Sequence, residues 1–135
     1  MKCLIAEDDF AARKLLQIFL TELGECCVAS NGQEAVDAFC EAYDTNVPYD
    51  LVCMDIMMPE KDGHQALREI RAYEEAHGIQ GTKGVKVIMI TALRDSRHVL
   101  GTFRVGCEAY IVKPVEKSTL FEEMEKLGLT VNQVL

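Results

Sequence analysis

Five short apolar runs, separated by stretches with helical spacing, restrict the fold of this chain more than any other feature. They are Cys3-Leu4-Ile5-Ala6, Cys26-Cys27-Val28-Ala29, Leu51-Val52-Cys53-Met54, Val85 to Ile90, and Ala109-Tyr110-Ile111-Val112. Each is too short for a helix, and each reads as a strand buried on both faces. The intervening stretches carry the other period. Leu15, Leu16, Phe19, Leu20 and Leu23 make one apolar stripe, with Gly24 placed as a stop. A second stretch after Asn31-Gly32 holds Ala35, Val36 and Phe39, and a third runs from about Gly63 to His77 with Ala66, Leu67 and Ile70 inward. A fourth covers about Arg94 to Arg104, and the last carries Leu120, Phe121, Met124 and Leu127. Strict alternation of strand and helix implies a parallel sheet with helices on both faces. The Gly78–Gly84 segment reads as a flexible loop, and no repeat, low-complexity tract or linker breaks the pattern.

The chain's 135 residues suit one domain with one core. No apolar run approaches the ~20 residues of a membrane span, and Met1 leads into a strand-like stretch rather than a signal peptide. A soluble, cytoplasmic protein is expected. The formal net charge of −8 argues against nucleic acid as a direct partner, because phosphate backbones are bound through clustered Lys and Arg. Cys3, Cys26, Cys27, Cys40, Cys53 and Cys107 show no CxxC spacing and are expected to be reduced structural thiols. His64, His77 and His98 are arranged with no nucleophile and read as surface residues.

The polar residues that follow the strands carry the chemistry. The first strand runs into Glu7-Asp8-Asp9, the third ends at Asp55, the fourth at Thr91 and the fifth at Lys113-Pro114. Open parallel sheets bind ligands outside the carboxyl ends of their strands, where strand order reverses. Carboxylates, a hydroxyl and an ammonium from distant parts of the chain should therefore meet in one pocket. Two carboxylate charges 4 Å apart repel by about 4 kcal/mol at an effective dielectric near 20. Three together call for a cation, and hard oxygen ligands suit Mg²⁺. Lys113 and Thr91 could hold a transferring phosphoryl group, which leaves Asp55 as the nucleophile. Asp8 or Asp9 alone could simply cap the following helix, and capping can coexist with metal binding. Met58-Pro59 and Asp62-Gly63 also make an ordinary turn before a helix.

At these residues the sequence resembles the receiver domain of bacterial two-component response regulators, particularly the single-domain chemotaxis-regulator type. The matching pieces are Glu7-Asp8-Asp9, Asp55 followed by Met58-Pro59-Glu60-Lys61-Asp62-Gly63, Thr91-Ala92, and Tyr110-Ile111-Val112-Lys113-Pro114. The resemblance covers about residues 2–127, so residues 1–127 are expected to form the domain and 128–135 a short tail with no room for an output domain. It implies an α/β, doubly wound, five-stranded parallel sheet of flavodoxin-like order 2-1-3-4-5. It further implies that Asp8 and Asp9 bind Mg²⁺, Asp9 more directly, with Asp55 as both phosphoacceptor and ligand and Met57 adding a backbone carbonyl. Lys113 would pair with Asp55 and then with the phosphoryl group, Thr91 would hydrogen-bond a phosphoryl oxygen, and Tyr110 would rotate into the space Thr91 leaves. The Lys113–Pro114 bond would be cis.

Such a domain is a switch rather than an enzyme, with self-catalysed phosphotransfer and dephosphorylation at most. Its phosphodonor would be a histidine kinase or histidine phosphotransfer protein, and its downstream target would bind the fourth helix, fifth strand and fifth helix. Met57 and Leu93 occupy the family's lifetime-tuning positions, and their apolar side chains imply slow loss of the phosphoryl group. Two enzyme-like or cofactor-binding readings fit less well. An aspartyl-phosphate hydrolase wants a second Asp two residues after the nucleophile, where this chain has Met57. A flavodoxin-like binder needs a hydroxyl- and glycine-rich loop where Glu7-Asp8-Asp9-Phe10 stands. A receiver-like module that is never phosphorylated is a closer rival, and the retained Asp55, Thr91 and Lys113 speak against it.

Overall fold

The apolar runs become strands β1 (Lys2–Ala6), β2 (Glu25–Ala29), β3 (Leu51–Asp55), β4 (Lys86–Thr91) and β5 (Ala109–Val112). The structure, a computed structural model, describes residues 1–79, 83–92 and 106–131. Among these, four helices alternate with the strands: α1 (Phe10–Thr21), α2 (Gly32–Asp44), α3 (Gly63–Ala76) and α4 (Lys117–Lys126). The helix expected at about 94–104 and the residue Leu93 lie outside the described residues.

All strand pairs are parallel, in the order β2-β1-β3-β4-β5. This is the doubly wound order that the family resemblance implies. Alternate residues of the three central strands feed two cores. Leu4, Ala6, Val52, Met54, Val87 and Met89 face α2 and α3, whereas Cys3, Ile5, Leu51, Cys53, Ile88 and Ile90 face α1 and α4. Burial on both faces explains why these strands read as unbroken apolar runs. The edge strand β2 is less buried, and Val28 is exposed.

Three helices start on side-chain caps. Asp9 accepts from the Ala12 N–H at 2.8 Å, Asn31 from the Glu34 N–H at 2.8 Å, and Asp62 forms a capping box with Gln65. Two glycines permit close approach. Gly24 does not stop α1, which ends at Thr21; a Cβ on it would lie 2.0 Å from the Met1 carbonyl oxygen, so it lets the chain start cross over β2's entry. A Cβ on Gly63 would lie 2.4 Å from the Asp55 carbonyl oxygen, so the start of α3 sits directly against the end of β3.

Candidate functional site

β1 and β3 are neighbours, and the chain leaves them in opposite directions along the sheet. Their carboxyl ends form the switch point where such sheets bind ligands. Asp55 ends β3 and is buried, Glu7 follows β1 and is 1% exposed, and Asp8 beside it is exposed. One carboxylate oxygen from each of Glu7, Asp8 and Asp55 lies within 4.8 Å of the others. Lys113, just past β5, places Nζ 2.6 Å from Glu7 Oε1 and 3.4 Å from Asp55 Oδ2. The Lys113 ammonium is therefore the close partner of the buried Glu7 Oε1.

Among the described residues, three carboxylates thus face one ammonium. The titration behaviour follows from that imbalance. Burial pushes the Glu7 carboxyl above its usual range, and the shared hydrogen bond with Asp55 pushes it further, against the pull of Lys113. Partial burial and the adjacent Glu7 raise Asp8 as well. For Lys113, burial favours the neutral amine, but Glu7 and Asp55 outweigh it and hold the ammonium above its ordinary value. A surplus of carboxylate oxygens clustered within 4.8 Å fits a small divalent cation such as Mg²⁺.

The expected acidic pair is not the pair that meets Asp55. Asp9 spends its carboxylate on capping α1, and Glu7 stands in the cluster instead. The shift has a simple cause. Cys3 and Ile5 face the α1 side of the sheet, and Glu7 continues that alternation inward, while Asp9 is the last extended residue before the helix. That period of two was the signal in the sequence that marks Glu7.

The remaining site residues come from the neighbouring strand ends. Thr91 is buried, its hydroxyl donates to the Ala92 carbonyl at 3.2 Å, and its own carbonyl accepts from the Lys113 N–H at 2.8 Å. Tyr110 is half-buried against the α2–α3 core and pairs with Met89, which puts it on the same sheet face as Thr91. Met57 is 60% exposed beside the pocket. The Lys113–Pro114 bond is cis, as the resemblance implies. His64 is half-buried rather than a plain surface residue, and His98 lies outside the described residues.

The chain matches the response regulator receiver domain over residues 3–125, and it belongs to that family. It is 32% identical over 120 residues to the probable transcriptional regulator ycf27 of Porphyra purpurea, covering 88% of this chain and 44% of that protein. The chain therefore spans less than half the length of that relative. Among solved structures it is similar to a chain in the co-crystal of the Saccharomyces cerevisiae histidine phosphotransfer signaling protein Ypd1 with the receiver domain of Ssk1. That match has a TM-score of 0.80 and 27% identity, covering 95% of this chain and 88% of that one. It is also similar to a chain in the CheX-CheY-BeF3-Mg²⁺ complex of Borrelia burgdorferi, with a TM-score of 0.76 and 28% identity, covering 96% and 90%. The single-domain chemotaxis type named above is narrower than what these relatives share.

Proposed function

We propose that this receiver domain accepts a phosphoryl group on Asp55 from a histidine kinase or histidine phosphotransfer protein, and that Mg²⁺ is held by Asp8, Asp55 and the Met57 carbonyl, with Glu7 beside them. The observation that carries this reading is the convergence of three carboxylates with Lys113 at the switch point. A bound Mg²⁺ would neutralise phosphoryl oxygens. The chain's own groups do the rest. An Asp55 carboxylate oxygen attacks phosphorus, the P–N bond of the donor phosphohistidine breaks, and its electron pair stays on the imidazole. Lys113 exchanges part of its pairing with Asp55 for the incoming phosphoryl oxygens, and the Thr91 hydroxyl turns from Ala92 to donate to one of them.

The donor's approach has a candidate surface. Phe10, Leu15 and Ile18 are exposed on α1, and an apolar cleft of about 420 Å³ lies between α1 and Pro114-Val115, floored by Ile90 and bordered by Glu7 and Lys113. Output would leave through β5, α4 and the segment 93–105, with Thr91 and Tyr110 as the link. Met57 and Leu93 offer no strong hydrogen bond to an attacking water, which supports a long-lived phosphoryl state. Among the described residues no helix is long and apolar enough to cross a membrane. Acetyl phosphate with Mg²⁺ should add one phosphoryl group by intact mass, and Met57→Asn with Leu93→Glu should shorten its lifetime. If the double mutant decays no faster than wild type, water positioning does not set the lifetime.

A further inference from the structure

Arg13 stands where the helix dipole disfavours a cation, at the fourth position of α1. Its backbone N–H donates to the Asp9 carbonyl at 2.9 Å, as helix geometry requires. Its guanidinium turns back: Nη1 donates to the Glu7 carbonyl oxygen at 2.9 Å, and the guanidinium carbon lies over the Phe10 ring, 5.5 Å from its centroid. The carbonyl it holds belongs to the peptide unit that joins Glu7 to Asp8. A peptide unit is planar, so fixing its oxygen fixes the directions in which both flanking residues leave it. Those two residues are the carboxylates that β1 contributes to the cluster. The other side of Glu7 is fixed separately, by its N–H on the Ala29 carbonyl at 3.0 Å.

We propose that Arg13 is a positioning residue for the metal site, holding the Glu7–Asp8 peptide plane so that both carboxylates are presented to Asp55. The inference rests on the reading that this cluster binds Mg²⁺. Arg13 also brings positive charge near the site, which by itself would repel a cation, so the two effects predict opposite outcomes. Arg13→Met keeps an apolar stem but donates nothing and gives up the charge over Phe10; Arg13→Lys keeps a stem, a donor and the charge.

The test is a Mg²⁺ titration of each full chain, followed by amide NMR shifts of residues 7–9 and 55–57 at a temperature where all variants are folded by circular dichroism. Loss of one hydrogen bond to the turn should weaken Mg²⁺ binding about three- to tenfold in Arg13→Met. Arg13→Lys should recover most of that loss. Equal or tighter binding by Arg13→Met, with wild type binding normally, overturns the inference and leaves the metal reading intact. Equal weakening by Met and Lys also overturns it, since a donor would then not matter. No Mg²⁺ binding by wild type overturns both.

Discussion

Two groups of buried charge lie at opposite ends of the sheet and differ in how completely they are satisfied. At the amino ends of β4 and β5, Arg71 of α3 donates to Glu74 Oε1 at 2.7 Å, to both Glu108 oxygens at 2.9 and 3.1 Å, and to the Gly106 carbonyl at 2.8 Å. The Val85 N–H reaches Glu74 Oε2 at 2.7 Å, and the Val87 N–H reaches Glu108 Oε2 at 2.6 Å. Every carboxylate oxygen there has a donor. At the carboxyl ends, among the described residues, three carboxylates share the one ammonium of Lys113. The first arrangement is what a structural network looks like; the second leaves donor capacity for something from solution. Buried acid alone does not mark a site, whereas clustered acid in excess of its neighbouring cations does.

The contrast predicts different costs for removing the cation. Arg71→Ala strands two carboxylates in a closed network and should cost about 2–3 kcal/mol by urea unfolding, the usual loss for a broken buried pair reduced by partial exposure. Lys113→Ala should cost less than about 1 kcal/mol without metal, because Asp8 is open to water and the Lys113 side chain is itself partly exposed. Equal costs would break the comparison.

At the carboxyl ends of the strands, Asp8 and Asp9 should separate cleanly. Mg²⁺ at about ten times its Kd should stabilise wild type by about 1.4 kcal/mol. Asp8→Asn should abolish that gain. Asp9→Ala should keep it but lower the metal-free stability by about 1 kcal/mol through the lost cap. Loss of the Mg²⁺ gain in Asp9→Ala as well would restore the Asp8–Asp9 pair that the resemblance implies.

The smallest expected effect is in pH. Glu7 has its pKa raised by folding, chiefly through burial, so the folded state binds its proton more tightly than the unfolded state does. Its contribution to metal-free stability is therefore fully present at low pH. It declines as pH rises from the ordinary carboxylate range through the raised value. Glu7→Gln should flatten that decline relative to wild type, measured by thermal unfolding across pH 4–8 in EDTA. A difference between the two proteins that does not change with pH would remove Glu7 from the account.

The sequence made most of the fold legible because burial on both faces leaves so plain a trace. All five apolar runs became strands, and Asp55, Thr91 and Lys113 sit at the strand ends where their positions placed them. Three consecutive acids were harder. Whether Glu7-Asp8 or Asp8-Asp9 meets Asp55 depends on the residue at which extended backbone gives way to helix, and composition does not resolve a boundary to one residue. The Arg71 network was invisible because Glu108 is 37 residues from Arg71, and nothing local in either segment announces the contact.

The central claim is that Asp55 is the phosphoacceptor and that metal is required. Intact mass after incubation with acetyl phosphate measures it directly: wild type in Mg²⁺ should gain one phosphoryl group, and Asp55→Asn, or wild type in EDTA, should gain none. Equal labelling of the mutant, or labelling unaffected by EDTA, would contradict the account.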